Sequence, residues 1–235
     1  MIKINQQQNN QISFRGIKPT IRIGEQAIRE FQMEFPALKS SSMTATRLLH
    51  AKDLPNTKAL QDKILALAYQ QEASFEHLRI FSQCKSFQDY IYRIPPLIKK
   101  YGVANCDEMA LITQYNLLKK GIKSNITYFI IKNKKKGIRA NLISFFAEAL
   151  TKDNFQRLVR GHMFIVMNMT KEAPHSNPKQ WKSKTVIVDP WIGKCGPAHE
   201  MIAEYERLFR IDQKKEYLDF YKWDVFNVDT SFKPV

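Results

Sequence analysis

Between residues 57 and 81 the apolar positions Leu60, Ile64, Leu67, Ala68, Phe75 and Leu78 recur at helical spacing, interrupted once by the polar Gln71. The same period predicts a helix in IGEQAIREFQMEF, residues 23–35, closed by Pro36. SSSMTATRLLHAK, which opens at Ser40, predicts another, with its serines as candidate caps. SFQDYIYRI then runs into Pro95 and Pro96, which are expected to stop or kink it, and PLIKKYG ends at Gly102. Residues 106–120 form the next helix, closed by Gly121. Its apolar residues Met109, Ala110, Leu111, Ile112, Leu117 and Leu118 surround most of its circumference, the pattern of a helix buried at the centre of a fold.

Downstream the pattern changes. NITYFII (125–131), HMFIVMNM (162–169) and KTVIVD (184–189) are rich in β-branched and aromatic residues and read as strands. The stretch from KNKKK to the glycine before His162 reads as an inserted loop with a helix. PAHEMIAEYERLF (197–209) is a late helix with Pro197 at its start. A helical first half followed by a small sheet predicts an α+β fold. The polar, Gln/Asn-rich residues 1–22 are expected to be a disordered leader. Residues 23–100 then form a helical region and 101–235 the core, with 23–235 as one compact domain.

Composition narrows the setting. A chain of 235 residues buries roughly 70% of its unfolded surface, so it needs neither disulfide nor metal to hold it. Its three cysteines are few, widely spaced and odd in number, which fits thiols kept reduced, as in a cytosol. No apolar run reaches the ~18 residues of a membrane span, and the leader lacks a signal-peptide core. A secretion signal of another kind would leave no mark in composition. The 37 Lys+Arg against 22 Asp+Glu give a formal charge of +15, which favours anionic partners: an acidic protein, a lipid surface or nucleic acid. The basic clusters are short and scattered, without an arginine-rich arm, an RNA-binding aromatic strand or a zinc finger, so nucleic acid is the less favoured of these.

Cys106 stands where a loop gives way to the central helix. A thiolate attacks carbonyl carbon where a thiol does so poorly, and the first turn of a helix favours the anion. Asn105 suits the cap. Asp107 and Glu108 suit a helix start too, but their charge opposes a neighbouring thiolate, so a cationic partner is needed. Of five histidines, His162 has the most telling position, opening a strand directly after Gly161. Asp189 ends the strand KTVIVD. If the two strands pair antiparallel so that 162 faces 189 and 169 faces 182, imidazole and carboxylate become cross-strand neighbours, with Cβ atoms about 5 Å apart. The carboxylate can then hold the ring in one tautomer. Taken singly, Cys106 is a small buried hydrophobe, His162 a hydrogen-bonded strand end and Asp189 turn chemistry before Pro190. Their joint order and their placement at element ends favour a nucleophile, base and orienter.

These residues resemble the transglutaminase-like core of the papain-like superfamily. The likeness spans residues 100–192: cysteine at a helix start, YNLLKKGI closing that helix, a strand opening with histidine, and VIVDPW closing with aspartate. The order and the intervals between the three match that family. Two departures stand out. The family commonly has glycine before the cysteine and His-Ala-Trp at the base, where this chain has Asn105 and His162-Met163-Phe164. The resemblance implies a papain-like α+β fold, the triad Cys106, His162 and Asp189, and acyl transfer on a carboxamide or peptide bond of a protein substrate, an acidic one suiting the charge. The acidic calcium-binding run of large animal transglutaminases has no counterpart in this sequence, so no metal is expected, and no cofactor. Deamidation, proteolysis and transglutamination share the triad, and the first two are preferred. A small basic version looks like a bacterial protein that modifies other proteins, a secreted effector included.

A second oxyanion donor upstream of the backbone N–H of Cys106 is expected from Gln70, Gln71, Gln88 or Tyr101. Cys195, beside Lys194 and near His199, is the rival nucleophile; it reads as a loop or core thiol, and Cys84 as packed. Trp191 either shields the Asp–His bond or belongs to the core. From other classes, the chain could be a non-catalytic binding module on such a scaffold, or a basic adaptor for nucleic acid or a membrane surface.

Overall fold

Ile17, Ile21, Gly24, Ile28, Phe31 and Phe35 share one helical stripe, and they open the fold as helix α1 (Ile17–Glu34). A computed structural model of the chain describes residues 16–36, 38–40, 58–134, 161–170 and 173–223, the side chains of 58–65 and 67 excepted. Helix α1 starts inside the stretch expected as a leader, because Ile17 and Ile21 extend the apolar stripe and pack against the core. Pro19 costs little there, since the first turn has no backbone partner for its missing N–H. Residues 1–15, the helix expected in 41–52 and the insertion expected beyond residue 134 lie outside the described residues.

Helix α2 (Lys58–Phe81) follows, then α3 (Phe87–Tyr101). The Ser86 hydroxyl accepts the Asp89 backbone N–H at 3.1 Å to start α3, and Gly102, at φ 64°, ends it. Of the stop or kink expected at Pro95 and Pro96, the stop does not occur; the helix runs through both. Phe87, Tyr90, Ile94 and Ile98 form one buried stripe spanning the prolines, and Pro96 itself faces outward. Each interior proline costs about 3 kcal/mol, whereas burying an isoleucine returns about 1.5–3 kcal/mol, so the stripe carries the helix onward.

Helix α4 (Cys106–Lys119) is enclosed as expected: Met109, Ala110, Leu111, Ile112 and Leu117 are all buried. It leads through Gly121 (φ 72°) into β1 (Ser124–Asn133). The other strands are β2 (Gly161–Met167), β3 (Val186–Asp189), β4 (Lys194–Pro197) and, after helix α5 (Ala198–Leu208), β5 (Glu216–Lys222). All pairings are antiparallel, in the order β4-β3-β2-β1-β5. The fold is α+β. Among the described residues no helix is long and apolar enough to cross a membrane.

Strand alternation divides the core into two layers. Helices α1 and α4 cover one face of the sheet, against Ile126, Met163, Ile165, Met167, Val186 and Val188. Helix α5 covers the other, where Tyr205 and Met201 meet Phe129, Phe164, Val166 and Ile187. A segment before the described part of α2 also matters: Lys39 bridges Val103 in parallel, which fixes Ser40 beside the start of α4.

Candidate active site

The β2–β3 ladder pairs Ile165 with Val188, Val166 with Ile187 and Met167 with Val186. Continued in step, it sets Asp189 opposite Phe164 and Trp191 opposite His162. The expected register, 162 opposite 189, is therefore wrong by two residues. Because side chains alternate with period two, an even shift keeps both residues on one face. His162 and Asp189 become diagonal neighbours, within reach of each other. Nε2 of the ring lies 2.5 Å from Oδ2 of the carboxylate. Both side chains are buried, His162 at 3% exposure and Asp189 at 0%.

Asp189 is fully occupied as an acceptor. Its Oδ2 also receives the Tyr205 hydroxyl at 2.7 Å, and its Oδ1 receives the backbone N–H groups of Trp191 (3.0 Å) and Ile192 (3.3 Å). A buried carboxylate requires such partners. Burial, followed by the Asp189 charge and hydrogen bond, pushes the Tyr205 phenol well above its ordinary range, so Tyr205 remains a donor. Aromatic rings enclose the imidazole: Trp191 at 4.7 Å between centroids, then Tyr205 (5.2 Å), Phe129 (5.8 Å) and Phe209 (5.9 Å). Trp191 is thus against the pair, excluding water from it, and buried in the core as well. His162 lies at a strand end, as the sequence suggested, yet it is interior rather than at an open edge.

Cys106 takes the first position of α4. Asn105 precedes it as cap, and the Glu108 carboxylate accepts the Asn105 backbone N–H at 2.6 Å. The other Glu108 oxygen lies 3.2 Å from Nδ1 of His77 on α2, and both side chains are buried. Burial pushes the Cys106 thiol well above its ordinary value; Asp107, Asp189 and Glu108 add to this, and a backbone hydrogen bond from Met163 opposes it. The helix start does not lower this thiol as its position alone suggested. Desolvation and three carboxyl groups outweigh the dipole.

The three residues are brought to one end of the sheet by unequal means. His162 and Asp189 touch. The thiol of Cys106 meets the backbone of Met163, the residue after His162, and among the described residues no hydrogen bond joins it to the ring. The reason lies in the layers: α4 packs on the face lined by Met163, while the imidazole lies on the α5 face with Phe129 and Phe164.

Of the four upstream candidates for a second donor, Gln88 is exposed and lies on α3. Gln70 is buried at 4% exposure, with Oε1 lacking a partner among the described residues. Its backbone carbonyl receives the Ser74 hydroxyl, which in turn accepts from the Asn105 side chain, so Gln70 belongs to the face of α2 that meets the start of α4. Tyr101 packs edge-on against Tyr69 and near His77.

Cys195 is a packed thiol: its S–H donates to the Ile21 carbonyl at 3.5 Å, and burial pushes it up to about 12. The Cys84 thiol donates to the Ile80 carbonyl at 3.3 Å. Among the described residues no group of three or more His, Cys, Asp or Glu side chains is placed to hold a metal ion. Sequence reasoning missed Tyr205 and Ser40 as members of the site. Tyr205 was signalled faintly, since Ala198, Met201 and Tyr205 share the inward stripe of α5 and a buried phenol needs a partner. Ser40 gave no signal; it was read as a helix cap. Comparison with family models, curated proteins and solved structures finds no match for this chain.

Proposed function

We propose that this protein is a thiol acyl-transfer enzyme of transglutaminase-like, papain-like kind, with Cys106 as nucleophile, His162 as base and Asp189 as its orienter. The observation that carries this reading is the buried His162–Asp189 pair, closed over by Trp191 and fixed by Tyr205, at the sheet end where the first turn of α4 presents its cysteine. A paired imidazole and carboxylate sealed from water beside a helix-start cysteine is costly to build without a chemical use.

With Nε2 committed to Asp189, Nδ1 is the ring nitrogen left to exchange a proton with sulfur. The raised thiol implies that sulfur rests protonated and gives up its proton during attack, which makes His162 a general base rather than half of a standing ion pair. Attack forms a carbon–sulfur bond and an oxyanion. The backbone N–H of Cys106 is one donor for it, and Gln70 is favoured as the second over Gln71, Gln88 and Tyr101 because it is buried, with an unpartnered side-chain oxygen among the described residues, on the face of α2 that meets the start of α4. As the oxyanion collapses, the carbon–nitrogen bond breaks, and His162 returns the proton to the departing amine or ammonia. Water or an amine then attacks the thioester. Hydrolysis of a glutamine amide or a peptide bond in a protein substrate is preferred over amine transfer, and the chain's excess of Lys and Arg suits an acidic target.

The test is to incubate candidate acidic proteins with wild type and Cys106→Ala in heavy-oxygen water. Deamidation labels a side-chain carboxylate, proteolysis labels a new C-terminus, and amine transfer gives an unlabelled adduct. The reading fails if wild type and Cys106→Ala leave the same products. The raised thiol is also what a binding module on such a scaffold would show, and identical products would favour that second reading.

A further inference from the structure

The proposed nucleophile and base belong to different layers. Cys106 enters with α4, on the Met163 face, while the imidazole of His162 packs with Phe129 and Tyr205 on the other. The Cys106 thiol meets the Met163 backbone, but that contact does not fix where the imidazole stands, and errors of a fraction of an ångström are large on the scale of proton transfer. Among the described residues a chain of hydrogen bonds joins the layers around the end of the sheet. It starts at Trp191, whose ring lies against His162 and whose backbone N–H donates to Asp189. The indole Nε1–H donates to the Ser40 hydroxyl at 2.8 Å. Ser40 donates onward to Oδ1 of Asn105 at 2.9 Å, and Nδ2 of Asn105 donates to the Ser74 hydroxyl on α2 at 3.0 Å. Asn105 is the residue bonded directly to Cys106.

The geometry points to Ser40, with the indole N–H of Trp191 and the side chain of Asn105, as a positioning bridge that sets the Cys106 sulfur against the His162 ring. This rests on the reading of Cys106 and His162 as nucleophile and base. Ser40 has the placement such a role needs. It is 5% exposed, and it is anchored from outside the site, since the Lys39 N–H donates to the Gly102 carbonyl at 3.0 Å and the Lys39 carbonyl accepts the Ala104 N–H at 2.9 Å. The strap thereby ties residues 39–40 to the loop that enters α4. The hydroxyl gives one proton and takes one, so it relays a fixed direction from indole to amide. Removing the Ser40 hydroxyl takes its acceptor from the buried indole N–H of Trp191 and breaks the joint between the layers.

The test needs no knowledge of the substrate. The rate of alkylation of Cys106 by iodoacetamide, followed by peptide mapping from pH 6 to 10, is compared for wild type, His162→Ala, Ser40→Ala, Trp191→Phe and the Ser40→Ala/Trp191→Phe double variant, with Cys84 and Cys195 as internal standards. Trp191→Phe keeps a ring against His162 and removes the N–H together with part of the indole's volume, so it is read beside Ser40→Ala, which removes the same hydrogen bond from its other end. His162→Ala is expected to slow Cys106 at neutral pH and leave the profile of an unassisted thiol. Each bridge variant is expected to reproduce that change in part, by about tenfold, without altering Cys84 or Cys195. The double variant should lose no more than the worse single, because both act through one chain. Bridge variants within about twofold of wild type, with His162→Ala still impaired, would overturn the bridge alone. If His162→Ala itself leaves Cys106 unchanged, the nucleophile–base reading falls and takes the bridge with it. Should Ser40→Ala fail to fold, Trp191→Phe carries the comparison.

Discussion

Asp189 reaches His162 on the diagonal of the β2–β3 ladder, two residues from the position directly opposite, with Oδ2 lying 2.5 Å from the ring. That oxygen is shared with the Tyr205 hydroxyl at 2.7 Å, while Oδ1 takes two backbone N–H groups. Replacing Asp189 by asparagine keeps the shape but puts an NH2 where one pair of bonds must be accepted, turning at least one contact repulsive. On the proposed reading of Cys106 as nucleophile, Asp189→Asn should therefore slow turnover by roughly a hundredfold or more. Tyr205→Phe, which removes one of several donors, should cost about 1–2 kcal/mol of stability and a smaller part of the rate. Steady-state kinetics and urea unfolding of the two variants check the order. Equal effects would mean the carboxylate is structural.

Gly24 in α1 stands where a side chain has no room. A Cβ there would lie 2.4 Å from the sulfur of Cys195 and 2.7 Å from Cγ2 of Val188, on the sheet that α1 covers. Glycine to alanine inside a helix ordinarily gains about 1 kcal/mol. Here Gly24→Ala should instead destabilise by about 1–3 kcal/mol, since helix and sheet must separate. Cys195→Ala in the same chain should recover part of the loss, because the nearer contact is the sulfur, and Val188 should prevent full recovery. Urea midpoints of the two singles and the double decide it.

How much was legible follows from which periods the chain displays. The central helix, the first three strands and the partnership of His162 with Asp189 could be read because each depends on local pattern or on parity. The register was wrong, but an even error leaves the facing unchanged, so the contact survived it. Pro95 and Pro96 misled because local backbone chemistry was weighed without the buried stripe that runs past them. The edge strands were missed for different reasons. KCGP in β4 is too short to show alternation, and EYLDFYK in β5 pairs with β1 through residues whose polar tips disguise it, as in the contact of Lys132 with Asp219 and Tyr221. Ser40 was invisible because its partners, Trp191 and Asn105, are brought to it only by the tertiary fold.

Asp107 and Glu108 face pH in opposite senses. Burial alone would raise Glu108; hydrogen bonds from His77 and the Asn105 N–H outweigh it, and its carboxyl is held below the ordinary 4.5. Burial, with the neighbouring Glu108 charge, drives Asp107 well above 3.8. Glu108 thus contributes stability above its unfolded value, lost as pH falls through its lower folded one. Asp107 contributes below its own unfolded value and loses that as pH rises. Glu108→Gln should cost about 1–3 kcal/mol at pH 7 and progressively less below about pH 4.5. Asp107→Asn, which puts a neutral polar group where burial disfavours a carboxylate, should gain stability at pH 7. Urea unfolding at both pH values tests the pair. Equal signs for the two variants at neutral pH would contradict this assignment.

Cys195 supplies the alkaline counterpart. Its thiol is packed against α1, donating to the Ile21 carbonyl, and burial with the nearby Glu25 charge pushes it from 9.0 up to about 12. In the unfolded chain it loses its proton near 9, whereas in the folded chain it keeps it. Above pH 9 the unfolded state therefore binds fewer protons, and stability falls with each further unit by up to about 1.4 kcal/mol until the folded thiol also ionises. Cys195→Ala removes this group, so the gap in unfolding free energy between wild type and variant should narrow from pH 8.5 to pH 10.5, wild type losing ground. Cys84, raised less, should give a shallower trend when replaced. Thermal melts of the two variants across that range provide the comparison. A gap that stays constant for Cys195→Ala would show that its sulfur titrates alike in both states, and that packing against α1 does not disfavour its thiolate.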